Sequence, residues 1–225
     1  QVLTNICDLA RTESVDAVLC AGDLYESERF TPDTVRFVAD AFNQLDLPVL
    51  LAPGNHDWYG PQSLYAAAAW SPNVHVFTSS YLEAYELTPG FTVWGAAHRA
   101  PANTDGFLES FTVDRDGINI ALFHGSEQGS MKWEETGKLP HAPFREQQVP
   151  DSGLHHALVG HFHAPRHATW HTYPGNPDPL TFGEEGTRGP VIVDVDEDGQ
   201  VTRTTYDVAV TRLHDIDISL DGIDH

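Results

Sequence analysis

The chain has 225 residues, 40% of them hydrophobic, which is enough to bury one core and too apolar for a disordered segment. Its formal net charge is −21, with 33 acidic residues against 12 basic ones, and Lys132 and Lys138 are the only lysines. No apolar run is long enough to cross a bilayer and no signal-peptide pattern opens the chain, so it reads as soluble and cytoplasmic, with no membrane partner. Acidic residues are spread along the whole length. An even, lysine-poor acidic surface suits a salt-rich cytosol, where screening removes the repulsion, so a halophilic source is expected ahead of an ordinary acidic enzyme.

The pattern opens inside a first helix, which holds Cys7. Asp16 to Ala21 then reads as a buried strand holding Cys20. Both cysteines read as free, buried small hydrophobes, because they lack the close pairing of a thiolate metal site. Pro32 to Leu45 is an amphipathic helix with Thr31 as its cap and Pro32 at its first position. Pro48 to Ala52 is a second buried strand, and Leu64 to Trp70 a short Ala-rich helix. This alternation predicts a parallel sheet covered by helices.

Strands dominate from there on. They are expected at Val74–Phe77, Tyr81–Leu87, Thr92–Ala96, Ile118–Phe123, His155–Val159, His167–Thr172, Val191–Val195 and Val201–Val208. Turns of Gly, Pro and Asp divide them, which suggests a second sheet packed on the first. The fold class expected is α/β, two packed mixed β-sheets flanked by helices. Residues 1–210 would form that core. The polar, irregular stretch from Ser126 to Asp151 is expected near the functional site.

Four short stretches carry the chemistry: Gly22-Asp23, Gly54-Asn55-His56-Asp57, His124-Gly125 and Gly160-His161-Phe162-His163. Each follows an apolar strand pattern, and polar groups at the carboxyl ends of such strands project into the crevice where α/β proteins hold ligands. A lone Gly-Asp is usually a turn, and a lone His-x-His is usually two solvated strand residues. Four such stretches in this order are hard to produce by chance. One carboxylate (Asp23), one amide oxygen (Asn55) and three imidazoles (His124, His161, His163) make a mixed oxygen and nitrogen set for Mn²⁺, Fe²⁺, Zn²⁺ or Mg²⁺. The two oxygens of Asp23 can bridge two ions. The other histidines, His98 and His141 among them, are expected on the surface or satisfied in the core.

In this order the motifs resemble the calcineurin-like metallophosphoesterases, and within them the SbcD-type DNA-repair exonucleases. The narrower likeness rests on Val15 to Leu19 leading into Gly22-Asp23-Leu24-Tyr25, and on Tyr173-Pro174-Gly175-Asn176-Pro177 followed by Phe182-Gly183-Glu184. The resemblance implies two divalent ions, manganese first, bridged by Asp23. Asn55, His124 and His161 would complete one site, and His163 would serve the other. It implies His56 as the acid for the leaving oxygen, with Asp57 orienting it, and attack by a metal-bound hydroxide. DNA as substrate, an SMC-like ATPase partner and a homodimer come with the same resemblance. The family's first strand, with its Asp-x-His, has no counterpart among the residues before Asp23, so one ion site should be weaker. Thr211 to Asp221 resembles the first strand of the capping domain of that branch. A small phosphodiester such as a cyclic nucleotide is the alternative substrate, and an inactive partner-binding scaffold the alternative class.

Overall fold

The structure, a computed structural model, describes residues 1–129, 140–214 and 216. In chain order, α1 (Val2–Thr12), β1 (Val18–Cys20), α2 (Pro32–Asn43), β2 (Val49–Leu51), α3 (Leu64–Ala67) and β3 (Val74–Val76) build the first layer. The three strands pair in parallel in the order β1-β2-β3. Successive side chains alternate between the two faces. Val18, Cys20, Val49, Leu51, Val74 and Val76 pack under the helices against Cys7, Val38, Phe42 and Leu64. Leu19, Ala21, Leu50 and Ala52 face the other way.

Local chemistry sets the limits of α2. The Thr31 hydroxyl accepts from the Thr34 amide, Thr34 returns the bond to the Thr31 amide, and Pro32 needs no donor partner where it stands. At the other end the Asn73 amide lies within 3.2 Å of the Phe42, Leu45 and Leu47 carbonyl oxygens and satisfies groups the helix leaves open. Val35, Val38 and Phe42 recur at helical spacing on the buried side. Phe42 is 2% exposed, so Phe42→Ala should cost about 3–5 kcal/mol.

The second layer holds β4 (Glu83–Thr88), β5 (Phe91–Gly95), β6 (Ile118–His124), β7 (His156–Gly160), β8 (Arg166–His167) and β9 (His171–Tyr173), with the one-turn helix α4 (Gln148–Asp151) before β7. Its order is β4-β5-β6-β7-β9-β8, parallel inside and antiparallel at both edges. Leu50 and Ala52 meet Val93, Ile120, Leu122 and Phe77 between the layers. Phe107, Leu108, Phe144 and Leu154 cover the outer face over Trp94, Phe123 and Val159. The architecture is therefore α/β with packed sheets, as expected, although the first sheet is wholly parallel and the second sheet's outer face is covered mainly by coil. Finally, β10 (Val191–Val195) and β11 (Val201–Thr205) pair with each other as a separate antiparallel ribbon.

The details differ in three places. The strand expected over 167–172 is two strands, because the chain turns at Ala168, whose carbonyl the Arg203 guanidinium holds. The helix expected to reach Trp70 ends at Ala67, where Ala68 is extended and the Trp70 indole donates back to the Tyr65 carbonyl. Residues 211–214 form no strand, and the remainder of the stretch proposed as a capping-domain strand lies, apart from Ile216, outside the described residues. Within the Ser126–Asp151 stretch, Glu127 bridges Phe144 and α4 closes the segment, while residues 130–139 lie outside the description. Cys7 and Cys20 are free, and burial pushes the Cys20 thiol up to about 12, so it is a packing residue. No helix among the described residues is long and apolar enough to cross a membrane.

Candidate metal centre

The carboxyl ends of β1, β2, β6 and β7 meet at one place. Gly22 (φ 85°) and Asp23 (φ 54°) turn the chain left-handed after β1. Gly54 and Gly160 stand where no side chain fits. A Cβ on Gly54 would strike the Asp23 carboxylate and the His124 ring, and one on Gly160 would strike the Ala21 carbonyl. Only glycine leaves that room. His161, directly after Gly160, sits at φ 110°, a backbone that a histidine holds only when its surroundings fix it.

Around the His124 Nε2 atom lie Asn55 Oδ1 at 3.0 Å, Asp23 Oδ2 at 3.1 Å and His161 Nδ1 at 3.2 Å. His124 Nδ1 is 2.8 Å from the Ala21 carbonyl oxygen, which can only accept, so this nitrogen carries a proton. When the ring is neutral, Nε2 presents a lone pair toward two oxygens that are also acceptors. Acceptors aimed at one another describe a cation site. Asp23, His124 and His161 have ligand atoms within 4.8 Å of one another, and Asn55 adds a fourth. The donor set, two imidazoles with a carboxylate and an amide oxygen, fits a borderline or hard divalent ion.

A proton on His124 Nε2 can stand in for the cation there, donating to Asp23. Burial works to raise the Asp23 pKa, but the His124 hydrogen bond and charge outweigh it and hold the carboxyl far below the usual carboxylate range. His124 is raised, because Asp23 overcomes the opposing effect of burial. His161 is pushed down to about 3, first by burial and then by His124 and His141, which keeps it neutral and able to ligate.

Asp57 is fully buried and does something the sequence did not suggest. Its carboxylate accepts from the Asp23 amide at 3.0 Å, the Gly54 amide at 2.6 Å, the Leu24 amide at 2.7 Å and the Tyr65 hydroxyl. It therefore fastens the turn after β1 to the turn after β2. The His56 ring instead meets Glu26, 3.2 Å from Nδ1, at the exposed mouth of the site, while the His56 amide donates to Asp23 Oδ1 at 2.9 Å. The contact on the His56 ring thus comes from Glu26, whereas the Asp57 carboxylate meets backbone amides and the Tyr65 hydroxyl.

His163 stands apart from the cluster. Its Nδ1 is 2.8 Å from Glu184 Oε1, and half of its side chain is exposed. His98 is buried under the site, its ring bonded to the His124 carbonyl and the Thr104 hydroxyl, each at 2.8 Å. It supports the His124 backbone, as a satisfied core histidine. The His141 ring lies 5.4 Å from that of His161. Sequence reasoning assigned no role to Glu26, Glu184, Tyr65 or His141. Glu26 follows Asp23 by three residues and Glu184 stands inside a quoted motif, but neither has a periodic signal.

The sequence profile of the calcineurin-like phosphoesterases matches residues 1–165. The chain belongs to that family. Divalent metal ions are implied by membership, and among the described residues the cluster around His124 offers donors for one. The chain is 26% identical over 225 residues to an uncharacterized metallophosphoesterase, YhaO, of Bacillus subtilis (strain 168), covering 94% of this chain and 52% of that protein. It is also 26% identical over 221 residues to the DNA double-strand break repair protein Mre11 of Aeropyrum pernix, covering 87% of this chain and 52% of that one. The chain thus spans about half the length of these relatives. In three dimensions it resembles TT1561 of Thermus thermophilus, with a TM-score of 0.53 and 15% identity over 91% of this chain and 92% of that one, a likeness of fold alone.

Proposed function

We propose that this phosphoesterase core hydrolyses phosphodiester bonds with two divalent ions, manganese first, and that DNA is its substrate. The observation that carries the reading is the set of acceptors around His124 Nε2, with His56 exposed beside it. Asp23, Asn55, His124 and His161 would hold one ion, and Asp23 and His163 would contribute to the other. Bound there, the ions would supply Lewis acidity to the phosphoryl group and acidify a coordinated water.

The chain's own part is proton transfer and positioning. Glu26 engages His56 at Nδ1, which leaves Nε2 to pass a proton to the leaving oxygen. Asp57 keeps the Asp23 and Asn55 turns in register. Support for DNA comes from the likeness to Mre11, called a DNA double-strand break repair protein. An SMC-like ATPase partner and a homodimer belong to the same reading. The lysine-poor charge of −21 supports a salt-rich, cytoplasmic setting.

The test is turnover of bis(4-nitrophenyl) phosphate and of linear duplex DNA with Mn²⁺ and with chelator. Manganese-dependent cleavage of both, lost in Asp23→Asn, is expected. Cleavage of the small ester alone would move the substrate to a small phosphodiester. Full metal loading with no turnover of either would contradict the proposal.

A further inference from the structure

The loop after β9 is built around one carboxylate. Glu184 is 8% exposed, and its oxygens accept from the Leu180 amide at 2.9 Å, the Asn176 side chain at 3.2 Å and 3.3 Å, and the Thr181 hydroxyl at 3.3 Å. Its strongest side-chain contact is His163 Nδ1 at 2.8 Å. Arg188, 3% exposed, ties the two partners together: its Nε donates to the Glu184 carbonyl at 3.0 Å and its Nη1 to the His163 carbonyl. Asn176 adds a backbone bond to that same His163 oxygen at 3.0 Å. Gly175 (φ 73°) has no room for a Cβ, because the His163 carbonyl oxygen would stand 2.6 Å away.

Burying a carboxylate costs several kcal/mol unless donors surround it. A loop that needed only tying could use an amide. A carboxylate does one thing more, because it accepts only: the His163 proton must sit on Nδ1, and the lone pair of the neutral ring must sit on Nε2. Such a partner on the far nitrogen fixes the tautomer and ring direction of a metal-binding histidine and raises its basicity.

We propose that Glu184 is the positioning residue of His163, held by Arg188, and that it presents Nε2 of His163 to a divalent ion. This rests on the two-ion reading above. It adds that the 174–188 loop, and not the strand end alone, sets the geometry of the ion site that His163 would serve.

The test has one readout without metal and one with it. In the metal-free 225-residue chain, long-range ¹H–¹⁵N NMR should show His163 as the Nδ1–H tautomer, and Glu184→Ala should remove that bias. Mn²⁺ titration followed by the free-ion signal should show the ion at His163 bound about 10- to 100-fold less tightly in Glu184→Ala, with the ion at His124 unchanged. Glu184→Gln, which keeps one acceptor oxygen, should lie between. Thr181→Val, which removes a loop bond without touching His163, should resemble the parent in both readouts. Equal losses in Thr181→Val and Glu184→Ala would reduce Glu184 to loop architecture and overturn the proposal. Should Glu184→Ala fail to fold, the parent still decides, since an Nε2–H ring there overturns the proposal. If His163→Ala leaves the binding of both ions untouched while the tautomer in the parent is as expected, the two-ion reading fails separately.

Discussion

The Nε2 atom of His124 lies 3.1 Å from Oδ2 of Asp23, on a ring whose Nδ1 faces the Ala21 carbonyl at 2.8 Å. Two acceptors that close, with the ring's own proton committed elsewhere, stand ready for a cation. An ion that binds only the folded chain stabilises it by mass action, by about 2.7 kcal/mol at a hundred times its Kd. For a chain of this length that is a rise in Tm of roughly 5–10 °C. Differential scanning fluorimetry with Mn²⁺ should show it. Asn55→Ala and His124→Ala should each lose most of the shift, and a shift that survives both would place the ion elsewhere.

His56 is adjacent to Asn55 in sequence, but its side chain points to the mouth, where Glu26 meets it. His56→Gln should therefore keep the metal-induced rise in Tm and lose about 10²- to 10⁴-fold in turnover. Both partners are exposed, and exposed ion pairs contribute only ~0.2–1 kcal/mol, so Glu26→Gln should cost up to about fivefold. Steady-state rates on one substrate compare the two variants. A Glu26→Gln loss as large as that of His56→Gln would give Glu26 a direct part in the chemistry.

What was legible in the sequence was what is local. An apolar run followed by Gly and a polar residue marks a strand end, and four such marks put Asp23, Asn55, His124 and His161 in one crevice. Thr31 and Pro32 announced the start of α2 for the same reason. The role of Asp57 was not legible, because its donors come from Asp23, Leu24, Gly54 and Tyr65 on three different segments. Nor was the break between β8 and β9, which depends on Arg203 reaching over from β11 to the Ala168 carbonyl. Long-range polar contacts leave no period in the chain.

Asp57 makes a prediction of its own. Asp57→Ala would leave three backbone amides and the Tyr65 hydroxyl facing a buried space. Losing one partner of a buried charged network costs about 3–5 kcal/mol, whereas Tyr65→Phe removes a single bond to a charged group and should cost about 1.5–3 kcal/mol. Urea unfolding measures both. Stability and metal uptake should fall together in Asp57→Ala, in contrast to His56→Gln. A stable Asp57→Ala chain that binds metal normally would return Asp57 to a catalytic part.

His156 is buried, with the Thr172 hydroxyl at 2.9 Å and the Arg203 guanidinium at 3.3 Å from its Nε2. Its pKa is pushed down to about 3, first by burial, then by the positive charge of Arg203 and by His171. The unfolded chain takes up a proton here near pH 6.5, its ordinary value, and the folded chain does not until about pH 3. Between those values the unfolded state binds more protons, so stability rises with pH and is lost as pH falls. One such group contributes at most about 1.4 kcal/mol per pH unit. His98, pushed down to about 4 chiefly by burial, acts in the same sense. Urea midpoints of the metal-free chain at several pH values should therefore drop below neutrality, and His156→Gln should flatten the slope by roughly one proton. An unchanged slope would mean that His156 is accessible to protons in the folded chain.

The arginines bear on how DNA would be held. Arg11, Arg36 and Arg212 pair with Asp8, Asp33 and Asp207. Arg99, Arg188 and Arg203 spend their donors on backbone carbonyls, and Arg166 stands 3.7 Å from Glu127. With a net charge of −21 there is little cationic surface to displace counterions from a duplex. Phosphate should then be held mainly through the metal centre. Each phosphate neutralised by a basic side chain adds about 0.9 to the slope of log affinity against log salt, so a slope under about 2 is expected. Fluorescence anisotropy of labelled duplex with His56→Gln and Mn²⁺, from about 0.1 to about 1 M KCl, measures it. The Debye length shrinks from roughly 10 to 3 Å over that range, and a binding mode built on metal coordination should tolerate it. A slope of about 6 or more would require a cationic groove that the pairing of these arginines does not provide. Binding that vanished with chelator at every salt concentration would agree with the metal centre as the anchor.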